Sequence, residues 1–184
     1  MGSVATPFQQ IAFGNSRFTE MLQLLDDVLS VYPPDFFSSF KWTRHYGGLL
    51  FMIVDDILMG EEPIGGLQAG ADSDGRIVIY LSRISVKERA IHHEIGHAVD
   101  YRIRWKFPDA YTDWNKLNPE GLIYTNDFSV IMKDSENLEP DDWFVREYSK
   151  IDEFEDRATV FEALMTKDAA WWSARAVREQ LRFT

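Results

Sequence analysis

The sequence predicts a single α+β domain over residues 1–184, with a small mixed sheet, a long central helix and a C-terminal helical part. Three observations predict it. Stretches near both ends of the chain have apolar residues at helical spacing. Short apolar runs between residues 49 and 81 are bounded by glycine and turn residues. No repeat, low-complexity tract or long linker divides the chain.

Four segments are predicted to be helical: Phe18–Tyr32, Ser85 to about Trp105, about Ile151–Met165, and near Ala169–Leu181. Pro33 and Pro34 end the first of them. Ser85 and Glu88 have the spacing of a capping box, in which both side chains bond to free backbone amides. We therefore expect the second helix to open at Ser85.

Three segments are predicted to be strands. The continuous apolar run Leu49–Val54 indicates a strand buried on both faces. Ile64–Ala69 and Arg76–Leu81 flank the turn sequence Asp72-Ser73-Asp74-Gly75 and predict a hairpin. Glycines weaken the first strand of this hairpin, which suits the edge of a sheet.

Composition excludes several classes of function. The net charge is −11, so the chain lacks the basic surface that nucleic acids or anionic lipids require. The absence of cysteine excludes disulfides, cysteine nucleophiles and iron–sulfur clusters. No apolar run is long enough to span a membrane, and the first residues resemble no signal peptide. We expect a soluble protein; its compartment, secretion included, and its oligomeric state stay open.

The segment His93-Glu94-Ile95-Gly96-His97 is an HExxH motif inside the second predicted helix. Residues four apart lie on one helical face, so His93 and His97 can bind one zinc ion. Glu94 lies about 100° further round, close enough to act on a zinc-bound water as general base. His92 points away from this face, which predicts a surface residue or one behind the ligands, and a structural role is expected for His45.

The third zinc ligand must be a carboxylate, because no histidine follows His97. Asp100 and Ile103 stand where a metzincin needs glycine and histidine, which excludes that class. On the third predicted helix, spacing alone leaves Glu155 and Glu162 as rival ligands. Asp100 lies on the ligand side of the motif helix. It could hold a ligand imidazole by its other nitrogen, or be a solvated or backbone-capping aspartate.

The segments HHEIGHAVDY and EDRATVFEAL resemble zinc metallopeptidases of the gluzincin type. They are more distantly similar to the catalytic domain of anthrax lethal factor and to clostridial Pro-Pro endopeptidases. Those families share HExGHAxD on one helix and E-x-x-A-E-x-[FY] on a second, with a tyrosine seven residues before the first glutamate. The resemblance covers residues 65–165. It implies a zincin-like domain in which an edge strand packs on the motif helix, Glu155 is the third zinc ligand and Tyr148 is a catalytic phenol. Thr159 departs from the second glutamate of the pattern.

These residues predict a zinc-dependent endopeptidase whose partner is a peptide or protein substrate, with Glu94 activating a zinc-bound water and Tyr148 binding the oxyanion. The alternatives are a zinc exopeptidase and a catalytically silent zinc-containing binding or toxin-like module. We expect the substrate to add a strand along Gly66, Leu67 and Gln68. The side-chain pockets are expected from the aromatic residues of the following irregular segment, Tyr111, Trp114, Tyr124 and Phe128. The negative net charge favours basic or neutral peptides.

Overall fold

The computed structural model describes residues 16–108, 114–126 and 143–173. Its helices are α1 (Ser16–Ser30), α2 (Glu88–Lys106), α3 (Glu153–Thr166) and α4 (Ala169–Ser173). Its strands are β1 (Lys41–Thr43), β2 (Tyr46–Val54), β3 (Leu58–Met59), β4 (Glu62–Pro63), β5 (Gly66–Ala71) and β6 (Arg76–Ser82). Short 3₁₀ turns lie at Phe37–Phe40, Trp114–Leu117 and Glu147–Lys150.

Four of these strands form one mixed sheet in the order β1-β2-β6-β5. β2 runs parallel to β6, with Phe51 opposite Ile79, whereas the hairpin partners β5 and β6 are antiparallel, with Gln68 opposite Ile79. β5 is therefore an edge strand within the described part of the chain. β3 and β4 form a separate two-stranded ribbon. The α+β class, the mixed sheet and the hairpin are confirmed.

The prediction that Leu49–Val54 is buried on both faces is wrong, although the strand itself is present. Its side chains are only half-buried. Leu49, Phe51 and Ile53 pack against the main core, and these alternate residues share one face of the strand. The apolar run therefore covers the core from one side of the sheet.

The start of α2 also differs from the prediction. The Ser82 hydroxyl oxygen accepts the backbone N–H groups of Ile84 (3.3 Å) and Ser85 (3.1 Å), which forms a turn before the helix. The helix then begins at Glu88, and Lys87 at its N-cap makes no side-chain capping bond. Ser82 is the last residue of β6, and it binds the amides of the turn that leads into the helix. The sequence had predicted a capping box at Ser85 instead.

The last two helices begin close to their predicted positions. The Asp152 carboxylate accepts the amides of Phe154 and Glu155, both at 2.8 Å, and this cap fixes the start of α3. For the last predicted helix, residues 169–173 are helical, and residues 174–181 lie outside the described residues.

Helix α2 lies at the centre of the molecule, in contact with α1, β5, β6 and α3. The core beneath it is formed by buried apolar side chains from three elements, namely Met21, Val28, Ile77, Ile79, Leu81, Ile91, Ile95 and Ala98. No helix in the described ranges is long and apolar enough to cross a membrane.

The contact between α2 and α3 depends on Gly96. A Cβ atom built on Gly96 would lie 3.0 Å from the Cβ of Phe161 and 3.2 Å from the Cα of Ala158. Glycine therefore lets the two helix backbones approach more closely than alanine would. This close approach places the first turn of α3 beside the HExxH face of α2.

Candidate metal centre

His93 and His97 on α2 converge with Glu155 on α3. Glu155 Oε2 lies 3.0 Å from His93 Nε2 and 3.4 Å from His97 Nε2. The two imidazole rings are perpendicular, with centroids 4.7 Å apart. One ligand atom from each of the three residues lies within 4.8 Å of the others. The helical spacing of the motif therefore aims both rings at one carboxylate.

The distances between these atoms fit a metal ion. Tetrahedral zinc with bonds of about 2.0–2.1 Å holds its ligand atoms roughly 3.3 Å apart. The two distances of 3.0 and 3.4 Å lie within a few tenths of an ångström of that separation. Two imidazoles and one carboxylate are donors that suit zinc and related divalent ions. The three residues could hold a metal ion, and the donor set leaves its identity open.

Glu155 and Glu162, the rivals from spacing, lie on opposite sides of the His93 ring. Glu155 faces Nε2, whereas Glu162 Oε2 lies 3.4 Å from Nδ1. Arg146 Nη2 binds the same Glu162 oxygen at 2.8 Å, and its guanidinium lies 4.9 Å from the centre of the Tyr148 ring. Glu162 therefore lies behind the His93 imidazole at ion-pair distance, without a hydrogen bond to Nδ1, and Arg146 compensates its buried charge.

Asp100, the residue expected beside a ligand imidazole, pairs with Arg157 of α3. Its Oδ1 lies 2.6 Å from Arg157 Nε, and both side chains are largely buried. This ion pair joins α2 to α3 one turn beyond His97. The role of Asp100 toward an imidazole stays a prediction.

The side chain of Glu94, which belongs to α2, is buried against the edge strand β5. A Cβ on Gly66 would lie 2.6 Å from Glu94 Cγ, so the glycine makes room for this carboxylate. The Gln68 backbone amide donates a hydrogen bond to it. The Ser82 amide donates a hydrogen bond to the Gly65 carbonyl. In an antiparallel pair, the backbone groups of successive residues point alternately toward and away from the partner strand. The backbone groups of Gly66 and Gln68 therefore point away from β6.

Tyr148 lies against the His93 ring, with centroids 5.6 Å apart. Burial and the neighbouring carboxylates of Glu155 and Glu94 raise the pKa of the phenol well above its usual range. The hydroxyl therefore stays protonated and able to donate a hydrogen bond. The tyrosine seven residues before Glu155 thus lies at the candidate centre.

Three carboxylates surround the imidazole of His93 and change its charge state. Burial alone would lower the pKa of His93, but Glu155 and Glu162, with Glu94 nearby, raise it to about 9. Burial would raise the pKa of Glu155, but the two imidazoles lower it well below its usual range. For Glu94, burial outweighs the imidazoles and raises the pKa. The metal-free cluster is therefore an ion pair between imidazolium and carboxylate, beside an acid with increased proton affinity.

His92 is not a surface residue, which corrects that part of the prediction. It is 1% exposed, and its Nδ1 lies 2.6 Å from the hydroxyl of Tyr32, which follows α1. Since the bonding partner is 60 residues away, the helical wheel could not show this burial. His45 lies exposed in the turn between β1 and β2.

The candidate centre opens into a cleft lined by β5 and by the start of α2. Its wall includes Gly66, Leu67, Gln68, Met59, Pro63, Phe154, Lys87 and Arg89. No lining residue comes from the described segment 114–126. Trp114 Nε1 and the Tyr124 hydroxyl instead donate to the buried Asp156 carboxylate, at 2.8 and 2.9 Å. Tyr111 and Phe128, expected to supply pockets, lie outside the described residues.

Sequence reasoning missed Arg89 and Arg146. Arg89 stands four residues before His93, so the spacing that identified His97 could have found it. Arg146 lies on a separate segment, and nothing in the spacing links it to the motif. Comparisons of the chain with protein-family models, with curated proteins and with solved structures found no match.

We expect Glu155→Ala and His97→Ala to abolish stable metal binding, because each removes one of three donors. Glu162→Gln should keep one metal per chain and weaken its binding about 10- to 100-fold, because only the support of His93 is lost. Metal analysis after dialysis and competition with a chelator measure both. Release of the metal by Glu162→Gln but not by Glu155→Ala would contradict the assignment.

Metal affinity should rise with pH. A His93 pKa of about 9 means that the imidazole carries a proton at neutral pH, which a metal ion must displace. We expect the apparent zinc affinity to rise up to about tenfold per pH unit from pH 6 to 8 and to level off above the His93 pKa. Chelator competition across this range measures the slope. In Glu162→Gln, with one fewer carboxylate at His93, the slope should flatten at a lower pH. An affinity independent of pH would contradict a protonated His93 in the metal-free protein.

Proposed function

We propose that this chain is a zinc-dependent endopeptidase with a zincin-like domain of the gluzincin type. The observation that carries the proposal is the placement of Glu94. Its buried carboxylate lies beside the His93–His97–Glu155 cluster, on a cleft bordered by an edge strand. A metal site that only stabilised the fold would close its coordination shell and would need no acid with a raised pKa beside it.

His93, His97 and Glu155 would hold the zinc, which when bound supplies a Lewis acid and lowers the pKa of a nearby water. Glu94 takes the proton of the attacking water and passes it to the leaving amine. Its raised pKa means that the carboxylate binds a proton more readily than an exposed glutamate does, as a proton acceptor requires. The protonated Tyr148 hydroxyl donates a hydrogen bond to the carbonyl oxygen as that oxygen gains negative charge.

We propose that the substrate lies extended along Gly66, Leu67 and Gln68. An edge strand offers unpaired backbone groups to an extended peptide. One of the expected contacts serves Glu94 instead, because the Gln68 amide donates to its carboxylate, while Gly66 gives space to the Glu94 side chain. Docking therefore depends on the carbonyls and the remaining amide of this edge, and the strand also fixes the position of the general base.

A zinc exopeptidase is the second candidate function. The observation that favours it is the presence of Lys87 and Arg89 in the cleft wall, since an exopeptidase needs charged groups to hold a substrate terminus. A catalytically silent module is the least supported alternative, because the structure keeps Glu94 buried and in contact with β5. Digestion of a random peptide library with the zinc-loaded protein separates the three: internal cuts, terminal trimming or no cleavage.

Glu94→Gln should retain one zinc per chain and lose about 10²- to 10⁴-fold in kcat, because it removes the proton acceptor and keeps the shape of the side chain. Peptide cleavage measured alongside metal content checks both parts. Near-normal turnover in this variant would exclude Glu94 as the base. Glu88→Gln, on an exposed position of the same helix, is the matched control.

Tyr148→Phe should leave zinc content unchanged and lower kcat more than it raises KM, since the lost hydrogen bond forms mainly in the transition state. Steady-state kinetics with one cleaved peptide measure the split. A rise in KM alone would show that Tyr148 binds the substrate without stabilising the developing charge.

A further inference from the structure

We propose that Arg89 and Arg146 form a subsite that binds a carboxylate of the substrate next to the metal centre. The proposal rests on the peptidase function proposed above and specifies its substrate class, peptides with a carboxylate close to the cleaved bond. Two sources share this chemistry: an aspartate or glutamate side chain, and the C-terminal carboxylate of the peptide.

The position of Arg89 places it beside the candidate centre. It precedes His93 by four residues on α2, which is about one helical turn or roughly 6 Å along the axis, on the same face. The residue is half-buried and lines the cleft together with His93, Glu94 and Arg146. Because Arg89 and the candidate centre line one cleft, its guanidinium can contact a peptide bound there.

Arg146 brings a second guanidinium to the same wall. Its side chain is 9% exposed, and one nitrogen, Nη2, binds Glu162 at 2.8 Å. Its Nε is buried without a hydrogen-bond partner. Guanidinium groups bind carboxylates through two parallel N–H donors, and Arg146 carries N–H donors beyond the Nη2 that binds Glu162.

The cleft lining holds three cations, Lys87, Arg89 and Arg146, and three carboxylates, Glu94, Glu155 and Glu162. Arg89 and Arg146 both act on the single carboxylate of Glu162, and Glu162 is also 3.4 Å from His93 Nδ1. With a divalent ion held by His93, His97 and Glu155, the lining would therefore carry a net positive charge, although the whole chain carries −11.

The local charge decides which substrate binds once it is inside the cleft. Exposed charges further away than the Debye length, about 8 Å at physiological salt, are largely screened, while charges in the wall act at contact distance. The expectation that the net charge favours basic or neutral peptides therefore gives way to a preference for acidic ones. Net charge can still slow the approach of an acidic peptide at low salt.

The test compares matched peptides in which one residue near the cleaved bond is Glu, Gln or Lys, each made with a free and with an amidated C-terminus. The zinc-loaded wild type should cleave the Glu series, or the free-acid series, about 10- to 100-fold better by kcat/KM than its neutral counterpart. A preference that follows the side chain identifies an acidic residue, and one that follows the terminus identifies the C-terminal carboxylate.

Arg89→Gln should abolish this preference while cleaving neutral peptides within about twofold of wild type. Arg89→Lys should keep part of it, and Arg89→Glu should reverse it toward the Lys peptides. Lys106→Gln is the matched control, because this cation at the exposed end of α2 is not among the described residues that line the cleft. Zinc content should be unchanged in all four variants.

A binding measurement keeps the two proposals distinguishable. Anisotropy of labelled peptides with zinc-loaded Glu94→Gln reports affinity without turnover. If no peptide is cleaved but acidic peptides bind more tightly in an Arg89-dependent manner, the peptidase function fails and the carboxylate subsite stands. Equal affinity and equal cleavage of Glu, Gln and amidated peptides overturn the subsite. An equal loss for all peptides in Arg89→Gln also overturns it, because Arg89 would then only support the fold.

Discussion

The close contact between α2 and α3 is the constraint on which the candidate centre depends. The three ligand atoms come from two helices and must meet within a few tenths of an ångström, so the spacing of the helices decides whether they form a site. Gly96 sets that spacing, because any side chain there would meet Phe161 and Ala158. The middle of the HExxH motif thus has a packing role, and the flanking histidines a chemical one.

The same interface buries acidic groups, and each is held by identified partners. Arg146 pairs with Glu162, Arg157 pairs with Asp100, and Trp114 and Tyr124 donate to Asp156. Removing one partner from a buried pair typically costs about 3–5 kcal/mol, because the other charge is left without compensation. The ion pairs therefore fix the rotation and register of α3, which determines whether Glu155 or its neighbours face the histidines.

The local parts of this arrangement could be predicted from the sequence and the long-range parts could not. The HExxH spacing, the hairpin and the edge position of β5 follow from residues close together in the chain. The start of α2 could not be predicted, because Ser82 in the preceding strand binds the amides of the turn that leads into the helix. The burial of His92 depends on Tyr32, and the chain of contacts from Arg146 to His93 joins segments more than 50 residues apart. Only folding brings these partners together.

Thr159 shows how a departure from a sequence pattern is accommodated. It stands where the gluzincin-type pattern has its second glutamate, and its buried hydroxyl lies 2.6 Å from Ser149 Oγ and donates to the Asp156 carbonyl at 2.9 Å. The carboxylate nearest His93 Nδ1 comes from Glu162, three residues further along α3. Residues 155, 159 and 162 share one stripe of the helix, so a carboxylate can reach the centre from more than one of these positions. In this chain the acid beside Nδ1 is Glu162, and the Arg146 guanidinium binds the same carboxylate oxygen. A motif with a glutamate at one fixed position therefore does not describe the acid that lies beside His93 here.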